Sequence, residues 1–149
     1  MRSIRQKAGG RRLTAGIATA LLALAATVGC TGAKANGGDQ KQMDAITQNI
    51  QSELAQKPGV VTAKVGYQNN VDASERADVN LALKPGTDPQ PVIDDAVRLV
   101  WQSKLNPLSS INVGVVFDQS NQRGMTKRVN ILNRNEKAEM ESKYGQRPR

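Results

Sequence analysis

The 149-residue chain contains no histidine and one cysteine, Cys30. A single cysteine cannot close an internal disulfide, and without histidine the chain lacks both the commonest metal ligand and the usual general base near neutral pH. Aromatic side chains are nearly as scarce: Trp101, Phe117, Tyr67 and Tyr144 are all there are. A core must therefore be assembled from Val, Ile, Leu and Ala. The chain also lacks an apolar run long enough to cross a bilayer. Its longest apolar stretch, the sixteen residues from Leu13 to Val28, would cover about 24 Å as a helix, short of a hydrocarbon layer of roughly 30 Å.

That stretch has a different layout. A cationic segment precedes it, with Arg2, Arg5, Lys7, Arg11 and Arg12 and no acid, and Thr27-Val28-Gly29-Cys30 follows. A basic start, a short apolar centre and small residues at the end are the parts of a secretion signal. The Arg11-Arg12 pair leaves both the general and the twin-arginine export routes open. The ending resembles the lipobox of bacterial lipoproteins, with Thr27 where that motif usually has leucine. The resemblance implies that residues 1–29 are removed and that Cys30 becomes the new N-terminus, carrying a diacylglyceryl group and a further fatty acid such as palmitate. The expected location is the extracytoplasmic face of the cell membrane, lipid-anchored. Several acyl chains hold a protein stably where one would not.

Net charge is +8, unevenly spread. Cys30 to Ser120 holds 8 basic and 10 acidic residues, whereas Asn121 to Arg149 holds 8 basic and 3 acidic. The high isoelectric point belongs to the signal and the C-terminal stretch, so it does not argue for nucleic acid, and export makes DNA or RNA an unexpected partner.

Residues 30–42 read as a lipidated polar tether. Met43, Ile46, Ile50 and Leu54 recur at helical spacing, predicting an amphipathic helix over about Asp39 to Gln56, stopped by Lys57-Pro58-Gly59. Val61, Ala63, Val65 and Tyr67 alternate with Thr62, Lys64 and Gly66, a half-buried strand. Ala77, Val79, Leu81 and Leu83 form a second one, expected to pair antiparallel with the first. Asp88 or Thr87 can cap a helix with Pro89 in its first turn, running to about Lys104 with Val92, Ile93, Ala96, Val97 and Val100 on its buried stripe. Ile111, Val113, Val115 and Phe117 make a third strand. Thr126 to Leu132 reads as a weaker fourth, and Asn133 to Lys143 as a charged helix closing at Gly145 with little to bury. The expected fold class is α+β: a small two-layer sandwich with a helix-strand-strand-helix-strand core over 43–120, both helices on one face of a mixed sheet. Residues 121–149 are expected to form a charged, basic C-terminal extension with a frayed end.

Four stretches, Gly59 to Val65, Ala77 to Leu81, Val97 to Ser103 and Leu108 to Val116, resemble the ring-building domain of the envelope lipoproteins of type III secretion and of the flagellar MS-ring protein. The resemblance implies the same element order and packing of copies side by side. One such domain is present where that family generally has two. Other extracytoplasmic modules of similar topology, such as the BON domain, share this outline.

No constellation argues for catalysis. Asp94 and Asp95 are adjacent on a helix, so they point about 100° apart and cannot converge on one substrate. Asn69, Asn70, Asp72 and Glu75 supply oxygens in one loop but lack the spacing of a calcium loop. Ser103, Ser109 and Ser110 have no histidine to activate them, and no motif places a lysine beside them. Trp101 reads as a core residue ahead of a stacking platform. Arg123, Lys127, Arg128 and Arg134 are candidates for contact with an anionic surface. No metal or cofactor is expected. The expected function is non-enzymatic: a lipid-anchored envelope module that binds a protein partner or copies of itself. The alternative is a surface protein binding anionic lipid or wall polymer through the basic extension.

Overall fold

A computed structural model describes residues 37–69, 74–119 and 123–148. The expected signal and Cys30 lie outside them, as do residues 30–36 of the expected tether; residues 37–42, read as tether, are helical instead. The elements in order are α1 (Gly37–Ala55), β1 (Val60–Gln68), β2 (Arg76–Leu83), α2 (Pro89–Trp101), β3 (Ser110–Phe117), β4 (Met125–Asn130) and α3 (Arg134–Tyr144). The four strands form one mixed sheet in the order β1-β2-β3-β4, which makes the domain α+β. β1 and β2 pair antiparallel, β2 and β3 parallel, and β3 and β4 antiparallel. The parallel pair requires a crossover, and α2 provides it.

Each element follows from local chemistry. Asp88 caps α2 by accepting from the Gln90 N–H at 3.0 Å, and Pro89 occupies a first-turn position where no amide donor is needed. Asn133 caps α3, accepting from the Asn135 and Glu136 N–H groups, and Gly145 closes it at φ +81°. The polar turn at Gly59 requires a left-handed backbone, φ +82°.

The strands bury one face. Ala77, Val79, Leu81 and Leu83 of β2 and Ile111, Val113 and Val115 of β3 are sealed from solvent, because period-two alternation sends them all to the same side. Ile50 and Leu54 of α1 and Val92, Ile93, Ala96, Val97, Val100 and Trp101 of α2 pack onto them in one cluster. Leu105 and Leu108, in the irregular segment after α2, join this core.

Two expectations need correction. Val61, expected inward with Ala63, is 43% exposed. The β1–β2 register shifts between Val60 and Thr62, and this bulge turns Val61 out while Val60 packs against the core. The predicted second helix also overran its end: α2 stops at Trp101. There the Ser103 hydroxyl donates to the Val100 carbonyl at 2.7 Å and accepts from the Leu105 N–H at 3.3 Å, giving the chain an alternative to another helical turn.

The segment set apart as a charged extension is built into the domain. The described residues form one compact unit. Val129 of β4 and Met140 of α3 are core residues. Lys143 reaches Asp94 of α2 at 3.1 Å, and the Tyr144 hydroxyl donates to the Asp94 carbonyl at 3.3 Å. Within α3, Lys137 pairs with Glu141 at 3.8 Å.

Candidate functional site

The side of the sheet opposite the helices carries no covering layer among the described residues. Register places its side chains in rows across the strands. One row runs Gly66, Asp78, Asn112, Arg128; the next runs Lys64, Asn80, Gly114, Thr126. The first is tied together. Asp78 accepts from Arg76 Nε at 2.9 Å through one carboxylate oxygen and from the Asn112 amide at 2.9 Å through the other. With both oxygens engaged, Asp78 holds its neighbours in one arrangement.

Beside this polar row is a groove of about 520 Å³, lined by residues that include Thr62, Lys64, Ala82, Gly114, Val116 and Thr126. Gly114 and Ala82 keep its floor low. A Cβ on Gly114 would lie 3.3 Å from the Asn80 side-chain oxygen. Val116 is 59% exposed and gives the groove an apolar wall. Lys64 gives it a cationic one. The face is thus mixed in character: small, polar and apolar groups on a rigid backbone.

The sheet's two edges are treated differently from its face. Val65 of β1 has its N–H turned away from β2, where Gln51 Oε1 of α1 accepts it at 3.2 Å. Asn130 of β4 has its N–H turned away from β3, where Glu136 Oε2 of α3 accepts it at 2.7 Å. Each edge therefore has one outward donor occupied by a side chain of the same domain, which blunts it against strand addition.

The four basic residues singled out in the sequence are all exposed, and none has an ion-pair partner among the described residues. They do not form one patch by construction. Arg128 shares the open face with Asn112, whereas Lys127 has the parity of buried Val129 and lies beside Glu136 and Glu139 at the helix side. Arg134 begins α3 and Arg123 precedes β4. Cys30 lies outside the described residues.

The remaining candidates take structural positions. Asp94 and Asp95 diverge: Asp94 meets Lys143, while Asp95 meets Lys57 at 2.8 Å and Arg98 at 3.1 Å. The Lys57 ammonium, with Arg98 assisting, holds the Asp95 carboxyl below its usual range against the effect of burial. Tyr144 and Asp94, accepting from the Lys143 ammonium, raise its pKa. The Ser109 hydroxyl donates to Glu75 at 2.6 Å, which lowers the Glu75 pKa. Asn70 and Asp72 fall outside the described residues. No cluster of three or more metal-ligating side chains occurs among the described residues, and none of their helices is long and apolar enough to cross a membrane.

The open face was missed in the sequence, although Lys64, Asp78, Asn80 and Asn112 already stood at its alternating positions. Alternation says which residues avoid the core. It does not say whether a second layer covers them.

Comparison with known proteins finds no matching family model, no matching curated protein and no matching solved structure.

Proposed function

We propose that the chain is a non-enzymatic lipoprotein of the cell envelope, anchored through Cys30 on the extracytoplasmic face of the membrane, whose domain binds a protein partner through the open face of its sheet. The observation that carries this reading is the uncovered face itself. It joins the fixed Arg76-Asp78-Asn112 row to a groove with an exposed apolar wall at Val116. Polar groups held in place around an apolar contact suit specific protein recognition, since little ordering remains to be done on binding. The export layout and the lipobox resemblance support the anchor. The partner can be a second copy, as the ring-building resemblance implies, or a different envelope protein.

Two measurements test it. Cys30→Ala should move the protein from the membrane to the soluble fraction and abolish incorporation of labelled fatty acid; unchanged fractionation would sink the anchor. A photo-crosslinking residue at Val116 should trap a discrete adduct that one at Gln48, on the exposed side of α1, does not. Equal labelling from both positions would sink the assignment of the face, and the mass of the adduct separates a second copy from another protein.

The basic residues support a second reading, contact with anionic lipid or wall polymer. Exposure and the lack of ion-pair partners among the described residues favour it, and the opposite orientations of Lys127 and Arg128 weigh against it. Charge-reversing Arg123, Lys127, Arg128 and Arg134 together should abolish sedimentation with anionic vesicles if this reading holds.

A further inference from the structure

Arg147 follows α3 and does not point into open solvent. Its Nε and Nη2 are both buried, and neither has a hydrogen-bond partner among the described residues. These two nitrogens form the straight edge of the guanidinium, the side that pairs in parallel with two oxygens of a carboxylate or phosphate. A charged donor edge taken from water and given no acceptor is a costly arrangement, and native proteins rarely leave one. Burial pushes the Arg147 pKa down, with the nearby Tyr67 phenol acting in the opposite direction.

The residue also borders a cavity. A pocket of about 630 Å³ lies among Trp101, Asn106, Ile131, Gln146, Lys137 and Arg147. Its charged lining is Lys137, Glu141 and Arg147, and Lys137 pairs with Glu141 at 3.8 Å. One positive charge is therefore left without compensation at the pocket wall. The amides of Asn106 and Gln146 add neutral donors. The segment that presents Arg147 is fixed on both sides of α3's end: the Trp101 indole N–H donates to the Gly145 carbonyl at 2.9 Å, and the Gln102 amide donates to the Tyr144 carbonyl at 3.1 Å.

We propose that this pocket binds a single oxyanion group, a carboxylate or a phosphate, held side-on by Nε and Nη2 of Arg147. Binding requires that edge to turn from its buried position toward the pocket that Arg147 borders. The bound oxygens supply the two missing acceptors and neutralise the uncompensated charge. The pocket shares no lining residue with the groove of the open sheet face, and Arg123, Lys127, Arg128 and Arg134 do not line it, so it does not depend on either reading of function.

The test uses the full chain, titrated with sodium phosphate and with sodium acetate against sodium chloride of equal ionic strength. Thermal stability and the NMR resonance of the Trp101 indole N–H are followed together. A saturable response to phosphate alone assigns a phosphate, to acetate alone a carboxylate, and to both the shared geometry. Arg147→Lys keeps the charge and removes the edge, and should weaken binding by about tenfold. With no ligand it should melt no lower than the natural chain, because a desolvated edge has been relieved; a purely structural role for Arg147 predicts a lower melting point. Arg134→Lys, on the exposed start of α3, should bind like the natural chain. The proposal is overturned if neither anion gives a saturable response, if Arg147→Lys binds as well as the natural chain, or if Arg134→Lys loses as much.

Discussion

The indole nitrogen of Trp101 donates to the backbone carbonyl of Gly145 across 2.9 Å of space and forty-four residues of sequence. One contact thereby joins the buried end of α2 to the close of α3. Trp101 is fully buried, so its ring fills the core while its single donor secures the C-terminal segment. This relationship explains how a helix as polar as α3, with Met140 as its buried residue, stays docked. Trp101→Phe should keep most of the packing and lose the bond, costing about 1 kcal/mol and leaving α3 the first element to exchange. Hydrogen exchange of the α3 amides checks this. Protection of α3 that falls no more than that of β2 would contradict it.

Gly124 lets β4 begin close to β3. A Cβ there would stand 2.6 Å from the Val115 carbonyl oxygen, a backbone atom that cannot swing aside. Gly124→Ala should push the strands apart locally and destabilise by roughly 1–3 kcal/mol. Denaturant unfolding gives the size. Gly66→Ala, where a Cβ meets nothing within 4 Å, is the control.

At Gly59 two restrictions coincide. The backbone is left-handed, and a Cβ would come within 2.5 Å of the Thr87 side chain. Gly59→Ala should therefore destabilise by at least about 1 kcal/mol. Adding Thr87→Ser should recover only part of the loss, because the strained backbone remains. Full recovery would mean that the side-chain clash was the whole effect.

The Asp95 ion pairs set an acid limit. The Asp95 carboxyl titrates below its ordinary value of 3.8 in the folded chain, chiefly through Lys57. A lowered folded pKa contributes stability that is present above the unfolded value and lost as the pH falls through the folded one. With both partners partly exposed, the pair contributes about 0.5–1 kcal/mol. Asp95→Asn should be less stable than the natural chain by that amount near neutral pH. The gap should begin to close below about pH 4. Urea titrations across this range check the convergence.

Gln51 guards an edge. Gln51→Ala removes the acceptor from the outward Val65 N–H, which it holds at 3.2 Å. The expected result is a loss of about 0.5–1.5 kcal/mol and greater self-association by light scattering at high concentration. Glu136→Ala should do the same at the β4 edge. If neither variant associates more than the natural chain, the side-chain caps do not protect the edges.

Residue order alone determined the succession of helices and strands, their approximate limits and most of the core. Ala77, Val79, Leu81 and Leu83 are buried because their spacing matches the pleat, and Val92, Ile93, Ala96, Val97 and Val100 because theirs matches a helical stripe. Such periodicity is local, so it can be read without knowing what lies opposite. The antiparallel hairpin of β1 and β2 was equally readable. Tertiary structure alone decided the rest. Val61 keeps the alternation in sequence and breaks it in space, because a bulge belongs to a pair of strands and not to one. The polar helix α3 has almost no stripe of its own, and its place depends on Trp101, Gln102 and Asp94 being there to receive it. Leu105 and Leu108 lie in no periodic element, yet they are buried because the chain passes under the fold. The open face and the edge of Arg147, which has no hydrogen-bond partner among the described residues, likewise arise from which surfaces meet and which are left unmet. A pattern along one chain carries only the preference of each residue for an interior; which interior it finds, and which polar groups are stranded beside it, is settled when distant segments pack.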